Sequence, residues 1–375
     1  MTILIFILVL SLLVIVHELG HFFMARRTGV KVEEFGFGYP PRLKKLFTWR
    51  GTEFSLNAIP FGGFVRLEGE EFNPQTTSQK KQTRLQAFYN KSILARIAVI
   101  AAGPLANILY AVVAFSIVFG VIGVPRFLNG RPRVDKVAPN SPVEQIGLSA
   151  QSEIIGFRLF DDLILTDTVE EVVEFVQLNQ GQEVTIIFTG PCEGLVCPDD
   201  QFEKFIYLRT EAETPVGEGS MGVVFADFYL ETNNWYLQLI NGIWYGVQEA
   251  LALGILIITA VFDLFHQLLI VGKVSMEIAG PVGIVHQASQ SSILSKGWAP
   301  LVEFSGILSI NLGIMNLLPI PALDGGRILL ILLEKVVGKR RIQNIEGYVH
   351  NIGFLFLISL IILVSLRDII KIFQT

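Results

Sequence analysis

Four long apolar stretches constrain the fold of this 375-residue chain more than any other feature of its sequence. They cover residues 2–25, Ile97–Val124, Leu301–Leu318 and Val349–Leu366, and the second carries no charged residue over its whole length. Stretches of about 20 apolar residues are long enough to cross the hydrocarbon core of a bilayer as helices. We therefore predict a polytopic α-helical membrane protein with about four transmembrane helices.

The overall composition agrees with this prediction and excludes several other classes of protein. Hydrophobic residues make up 51% and charged residues 17% of the chain, which excludes a disordered chain, a coiled coil and a collagen-like fibre. The net charge is −5 and the longest basic cluster is Lys339–Arg341, which argues against a nucleic-acid partner. Two cysteines, Cys192 and Cys197, are too few for a disulfide-rich scaffold or a thiolate zinc cluster.

Basic residues at the ends of the apolar stretches predict their orientation, because the cytoplasmic ends of membrane helices carry an excess of lysine and arginine. Arg26 and Arg27 follow the first stretch, and basic residues also precede the second stretch. Lys335 and Lys339–Arg341 lie between the third and the fourth. All these groups fit one cytoplasmic side, which places residues 125–300 outside. An outside location permits a disulfide between the two cysteines, and two free thiols are the alternative.

The apolar segment Ile240–Val271 has two possible paths. It is apolar enough to span, but Glu249, Asp263 and His266 interrupt it, and a fifth span would place the later basic residues on the wrong side. The neighbouring tryptophans and tyrosines are typical of a membrane interface. We therefore expect interfacial helices over residues 229–300, with a fifth span as the alternative.

Two further regions have the patterns of β-structure. Residues 32–70 contain a strand-like run from Thr52 to Leu67, broken at Gly62-Gly63, which predicts a β-hairpin or short sheet. Charged and polar residues return over residues 126–228, which predicts one folded insertion. In it we predict a helix at Val169–Leu178 and strands at Val134–Val137, Glu153–Phe157, Val184–Phe188 and Lys204–Leu208. The predicted divisions are thus residues 1–125, 126–228, 229–300 and 301–375.

The run His17-Glu18-Leu19-Gly20-His21 is the sharpest chemical signal in the sequence. Residues four apart lie on one face of a helix, so His17 and His21 can present their imidazoles to one metal ion. Glu18 can reach a water on that ion and act as a general base, as in the HExxH metalloproteases. The alternative is a helix with two polar contacts. Two imidazoles and a carboxylate near a bilayer interior are unfavourable unless they have a function, so we expect a metal site.

A catalytic zinc site needs a third protein ligand, and Asp324 is the main candidate. It follows Pro319 and a second proline at the end of the third apolar stretch, and Gly325-Gly326 allow a close approach of the backbone. A carboxylate before two glycines also marks an ordinary turn, so the spacing leaves both interpretations open. The roles of Asn107 and Asn316 also have two interpretations, since each side-chain amide could bond to another helix or hold a substrate backbone.

These motifs together resemble those of the site-2 proteases, and in particular the bacterial intramembrane zinc metalloproteases of the regulator-of-sigma-E type. His17–His21 is similar to the zinc motif of that family, Gly103–Asn107 to its GPxxN motif, and Asn316–Gly326 to its NxxPxPxLDGG motif. Gly36–Gly38 and Pro60–Val65 resemble its membrane-associated β-region, and Gly280–Ile284 resembles the segment before its third span.

The resemblance implies roles for particular residues of this chain. His17, His21 and Asp324 would bind a zinc ion, and Glu18 would be the catalytic base. Substrate-binding roles would fall to Asn107, Asn316, Pro319, Gly62 and Gly63. The resemblance also implies a location in the bacterial inner membrane. The substrates would be transmembrane segments of single-span proteins, such as anti-sigma factors or remnant signal peptides, cut in regulated intramembrane proteolysis.

The insertion at residues 126–228 resembles a PDZ domain through the stretch Asn140–Leu148. The resemblance thus implies an inserted extracytoplasmic PDZ-like α+β domain beside the membrane-associated β-region. Two other classes stay open on the residues alone. A transporter or channel would also place polar groups in apolar helices but would not require Glu18, and a membrane-anchored PDZ scaffold would require only the insertion.

Overall fold

The chain folds into two compact units in the computed structural model. One unit combines Met1–Val121 with Leu239–Thr375, and the other is Ile122–Gln238. The structure describes residues 2–70, 86–127, 131–160, 162–192, 197–215, 217–226, 228–231, 234–267, 283 and 297–374.

Helices and groups of strands alternate along the described part of the chain. The helices are α1 (Thr2–Arg27), α2 (Ile93–Ile122), α3 (Pro142–Gln145), α4 (Val169–Leu178), α5 (Trp235–His266), α6 (Trp298–Leu317), α7 (Asp324–Val337) and α8 (Lys339–Gln374). The strands are β1 (Val32–Trp49), β2 (Thr52–Leu67), β3 (Val124–Phe127), β4 (Arg133–Val137), β5 (Ser152–Leu159), β6 (Asp162–Leu165), β7 (Glu183–Pro191), β8 (Gln201–Tyr207), β9 (Val223–Ala226) and β10 (Phe228–Glu231).

Within the described residues, five helical segments are long and apolar enough to cross a membrane. Four of them lie in α1, α2, α6 and α8 and correspond to the four apolar stretches of the sequence. The fifth is Trp235–Asp263 in α5, which forms one continuous helix where we expected interfacial helices. A charged residue such as Glu249 interrupts the apolar character of a segment but not its helical backbone, because glutamate is a good helix former. Length alone does not fix the path of α5, so the count of four spans stays a prediction.

Part of the expected interfacial region lies outside the described residues. This holds for residues 268–282 and 284–296, and therefore for nearly all of the motif Gly280–Ile284. The expectation that this motif precedes a membrane span stays a prediction.

The β-hairpin formed by β1 and β2 is a small folded sheet, and no other described strand pairs with its two edges. Phe35 lies opposite both Val65 and Phe54, so residues 32–39 lie between residues 63–67 and residues 52–57. The second half of β1 then pairs back on residues 52–57, from Arg42 opposite Asn57 to Trp49 opposite Thr52. The predicted hairpin is confirmed, and its two edges are the segments 63–67 and 42–49.

An apolar core joins this sheet to the helices of its unit. Phe22, near the end of α1, is almost fully buried and meets Phe35 and Phe54 with ring centroids 5.7 and 5.8 Å apart. Val99 and Ile100 of α2 and Ile331 of α7 belong to the same buried cluster. The core therefore holds the last turns of α1 in a defined position against α2 and α7.

In the unit Ile122–Gln238, an antiparallel sheet shares its core with residues of α3 and α4. The strands run in the order β8-β7-β5-β4-β9, β6 pairs with β5, and β3 pairs with β10 in a separate two-stranded sheet. Phe157 of β5 and Phe175 of α4 stack with ring centroids 4.4 Å apart. Helix α4 has the predicted bounds, and strands β4, β5, β7 and β8 confirm the four predicted strands. Cys192 and Cys197 form a disulfide, so the thiol alternative is wrong.

Candidate metal centre

Helices α1 and α7 bring His17, His21 and Asp324 together. The Nε2 atoms of the two histidines are 3.1 Å apart, because the residues are one turn apart on the same face of α1. The Asp324 Oδ2 atom lies 3.0 Å from His17 Nε2 and 3.4 Å from His21 Nε2. All three side chains are at least 85% buried. The fold thus brings the histidines into contact with a carboxylate that lies about 300 residues later in the sequence.

The three donor atoms have the spacing that a tetrahedral metal ion needs. Bonds of about 2.0–2.1 Å to nitrogen and oxygen place tetrahedral ligand atoms roughly 3.3 Å apart, and the observed separations are 3.0, 3.1 and 3.4 Å. The Asp324 Oδ2 atom is buried and accepts no hydrogen bond of good geometry within the described part of the chain. A divalent ion would supply the partner that this oxygen lacks, so the donor set fits zinc.

The other nitrogen of each imidazole faces α2. The His21 Nδ1 atom lies 2.9 Å from the carbonyl oxygen of Val99, which is a hydrogen-bond acceptor. The His17 Nδ1 atom lies 3.3 Å from the side-chain nitrogen of Asn107. Helix α2 also leaves room for the rings at Gly103, where a Cβ atom would lie 2.8 Å from His17 Nε2 and still closer to His21 Nε2. The motif Gly103–Asn107 is therefore packed directly against the histidines.

Asp324 is the first residue of α7, and its environment differs from that of a helix cap. The N-cap position is Leu323, and no side-chain hydrogen bond caps the helix. Burial raises the pKa of the Asp324 carboxyl, but the imidazoles of His17 and His21 beside it outweigh burial, and the pKa lies well below its ordinary value. Asp324 is thus a carboxylate aimed at the two imidazoles, which favours the ligand interpretation over the ordinary turn.

A cavity of about 380 Å³ opens beside the three donor atoms. Glu18 lines it together with the two histidines and Asp324. The backbone amide of Val65, in the edge segment 63–67 of the hairpin, lies beside the Glu18 carboxylate. The cavity therefore places a carboxylate, a candidate metal site and a free sheet edge next to one another.

The structure separates the predicted substrate-binding residues into two groups. Asn316 and Gly63 line the cavity, whereas Asn107, Pro319 and Gly62 do not. The amide nitrogen of Asn316 donates to the Leu312 carbonyl of its own helix at 3.0 Å. Gly62 has a φ of +70°, a left-handed conformation that favours glycine and turns the chain into segment 63–67. Its position indicates a structural contribution to the shape of the edge.

Three polar residues of the cavity were not predicted from the sequence: Tyr39, Glu70 and Arg327. Burial raises the pKa of Tyr39, with a further contribution from the charge of Glu18, so the phenol stays protonated at neutral pH. Arg327 donates to Glu70 at 2.6 Å, which ties α7 to the end of the hairpin. The position of Arg327 three residues after Asp324, on the same helical face, is the signal that could have identified it.

A second group of candidate ligands lies in the other unit and does not offer a metal site. Glu153, Cys192 and Cys197 have donor atoms within 4.8 Å of one another. The two sulfurs are bonded to each other, which removes both thiolates.

Comparisons with known proteins define the family. A profile of peptidase family M50 matches residues 5–360 of the chain. The chain therefore belongs to peptidase family M50, the family of the site-2 proteases, and the resemblance seen in the motifs is confirmed. Membership in this peptidase family together with five apolar helices describes a multi-pass membrane peptidase.

Several relatives match the chain over nearly its whole length. A protein of Clostridium acetobutylicum named as a candidate zinc metalloprotease is 31% identical, over 97% of this chain and 96% of the relative. A protein of Rickettsia conorii with the same kind of name is 29% identical, over 98% of both chains. The zinc metalloprotease RasP of Oceanobacillus iheyensis is 28% identical, over 99% of both chains.

Proposed function

We propose that this protein is a zinc metalloendopeptidase that cleaves peptide bonds within the membrane. The observation that carries the proposal is the convergence of His17, His21 and Asp324 beside Glu18 on a helix apolar enough to span a bilayer. Its relatives named as zinc metalloproteases support the choice of zinc as the ion. The same donor set in a water-soluble protein would make an ordinary zinc peptidase. Here the two histidines and Glu18 lie in α1, a helix apolar enough to span a bilayer, so the site can reach peptide bonds of membrane segments.

The proposed roles follow from the donor atoms. His17, His21 and Asp324 hold the zinc ion, which when bound lowers the pKa of water and polarises a carbonyl group. Glu18 takes the proton from the attacking water and passes it to the nitrogen of the leaving amine. Tyr39 keeps its proton beside Glu18 and is a candidate donor to the oxygen of the attacked carbonyl. Asn316 lines the same cavity and is proposed to position the substrate.

The substrate is proposed to bind as an added strand on the edge segment 63–67. A membrane helix has its amide groups bonded internally, so it must unwind before a carbonyl can be attacked. In the described hairpin, segment 63–67 pairs with β1 on one side only. Gly63 and Val65 of this segment line the cavity on the other side. An extended peptide can satisfy its backbone groups on such an edge.

The strand hypothesis is tested by proline, which removes a backbone donor. Val65→Pro in the inner edge should raise the KM for the substrate, an effect that loss of the amide beside Glu18 would not produce by itself, while Lys44→Pro in the outer edge segment 42–49 is the matched control. Equal KM values for the two variants, with zinc still bound in both, would contradict binding on segment 63–67.

The physiological setting is proposed from the sequence pattern. Basic residues at the ends of the apolar helices, among them Arg26 and Arg27 in the last turn of α1, support a cytoplasmic location for that end of the site. The unit Ile122–Gln238 is proposed to be an extracytoplasmic PDZ-like domain that restricts access to substrates already trimmed on the outside. Anti-sigma factors and remnant signal peptides are the proposed substrate types, cut in regulated intramembrane proteolysis in the bacterial inner membrane.

One experiment separates this function from its rivals. Purified full-length protein and its Glu18→Gln variant are assayed for zinc content and for cleavage of a model single-span protein. We expect zinc in both, and a loss of cleavage of about 10²–10⁴-fold in the variant, because the general base is removed. Glu249→Gln, a change of another glutamate in an apolar helix, is the control and should cleave normally. Wild-type protein without zinc or cleavage would contradict the proposal and favour a transporter or a scaffold.

A further inference from the structure

Asn107 is a polar side chain buried behind His17. Its side chain is 0% exposed and does not line the cavity, so a substrate in the cavity does not meet it. Its nearest functional partner is the His17 Nδ1 atom at 3.3 Å. We propose that Asn107 is a positioning residue that fixes the tautomer and orientation of His17 for metal binding. The proposal rests on the proposed zinc site and adds a role that the substrate-binding prediction did not include.

Proton positions on the His17 ring define what Asn107 must do. A neutral imidazole carries one proton, and a metal ion at Nε2 requires that this proton be on Nδ1. With Asn107 Nδ2 as the neighbour, the amide donates to Nδ1 and the ring proton is on Nε2, where it faces Asp324 Oδ2 at 3.0 Å. That tautomer suits a hydrogen bond from His17 Nε2 to Asp324, but it leaves no lone pair on Nε2 for a metal ion.

The other end of the same amide supplies what the metal-binding tautomer lacks. The Asn107 Oδ1 atom is buried and has no hydrogen-bond partner among the described residues. The two ends of an amide have the same shape, so a half-turn of the side chain exchanges Nδ2 and Oδ1 with little change in packing. Oδ1 then accepts a hydrogen bond from Nδ1–H of His17, and the Nε2 lone pair becomes free for the ion.

The second histidine shows the same arrangement with a backbone acceptor. His21 Nδ1 lies 2.9 Å from the carbonyl oxygen of Val99, which can only accept. Helix α2 thus supplies an acceptor for both rings, one from its backbone and one from a side chain. The position of Asn107 is itself fixed, because Ser309 of α6 donates to its backbone carbonyl at 2.8 Å. Only the side-chain acceptor can be removed by substitution.

The test measures zinc affinity of the detergent-solubilised full-length protein by competition with a chromogenic zinc chelator. Asn107→Leu has a similar volume but no acceptor, and we expect its zinc dissociation constant to rise about 10–100-fold. Asn107→Asp keeps an acceptor oxygen and should hold zinc about as well as the wild type. Asn316→Leu, a matched change in the cavity wall, should leave the zinc affinity unchanged.

A kinetic readout separates a positioning role from direct substrate binding. When free zinc saturates the site, Asn107→Leu should recover cleavage with an unchanged KM. A raised KM together with wild-type zinc affinity would overturn the proposal in favour of substrate contact. If Asn107→Leu does not give a monodisperse protein, Asn107→Ala makes the same test, and wild-type zinc affinity in it overturns the proposal. A wild-type protein that binds no zinc would instead contradict the proposed function itself.

Discussion

The two units of the chain differ in which residues define their structure. In the unit Ile122–Gln238, the residues around Phe157 and Phe175 form an apolar core, and the buried charge of Arg133 is paired with Glu153. In the helical unit many apolar side chains are exposed, as on α8, while polar groups such as His17, Asn107 and Arg96 are buried. Apolar residues on a membrane helix can face lipid, so their exposure is expected. A polar group buried among such helices is unfavourable unless it has a function, so it indicates a site. A buried apolar side chain therefore marks the core of the unit Ile122–Gln238, whereas in the helical unit a buried polar side chain marks the candidate site and its supports.

The largest expected effect is the loss of the metal site. Asp324→Ala removes the carboxylate that meets both imidazoles, so the protein should lose its zinc and all detectable cleavage. The unit Ile122–Gln238 has its own core and should keep its protease resistance. Zinc content and limited proteolysis of the purified variant check both statements. Retention of stoichiometric zinc would show that Asp324 is not a ligand.

A buried ion pair gives the next largest effect. Arg96 of α2 and Glu334 of α7 form two hydrogen bonds of 2.8 and 2.5 Å, and both side chains are almost fully buried. Removing one partner leaves an uncompensated charge, so Arg96→Met should reduce the free energy of unfolding by about 3–5 kcal/mol. Denaturation in detergent measures it. The double variant with Glu334→Leu should regain part of the loss, and an equal or greater loss would contradict a direct pairing.

A cavity in the apolar core of the other unit should reduce stability by a similar or smaller amount. Phe157→Ala removes a fully buried ring stacked on Phe175, with an expected loss of about 3–5 kcal/mol before the site relaxes. The zinc affinity should stay at the wild-type value, because this core belongs to a separate unit. Thermal unfolding and zinc titration of the variant test the pair of statements. A variant that loses zinc as well would show that the core around Phe157 and the metal site depend on each other.

The smallest effect is expected at a helix start. Thr168 and Glu171 form a capping box at the first turn of α4, with reciprocal hydrogen bonds between side chains and backbone. Thr168→Ala should cost about 1 kcal/mol of unfolding free energy. Thr214→Ala, at a hydroxyl that donates to the carbonyl of Thr210, is a matched control. Equal changes in the two variants would show that the cap contributes nothing specific.

Local pattern was sufficient where local interactions decide the structure. Helix α4 has the predicted bounds, because apolar spacing and the Thr168 capping box act within one segment. Strand β2 covers the predicted run Thr52–Leu67 for the same reason. The four-residue strands β3, β6, β9 and β10 were not predicted, since so few residues give no clear alternation.

The long-range contacts could not be predicted from the residues alone. Asn107 meets His17 across 90 residues and Arg96 meets Glu334 across 238 residues. A sequence shows that such groups need partners in an apolar environment but does not say which partner each one has. For this reason the sequence left two interpretations of Asn107 open, a bond to another helix and a bond to a substrate backbone, and its buried position behind the imidazole favours the first. The path of α5 is open on similar grounds, because its apolar length fits more than one placement.

The position of the metal-binding residues along α1 has a consequence for the products. His17 precedes Arg27, the basic end of the helix, by ten residues, which is about 15 Å along the helix axis. A membrane segment that reaches the site at this depth would be cut near the middle of a hydrocarbon core about 30 Å thick. Each fragment would then keep about half of the roughly 20 apolar residues of a span, too few to remain inserted as a helix. A single cut would therefore release both halves of the segment from the bilayer, each into the water on its own side.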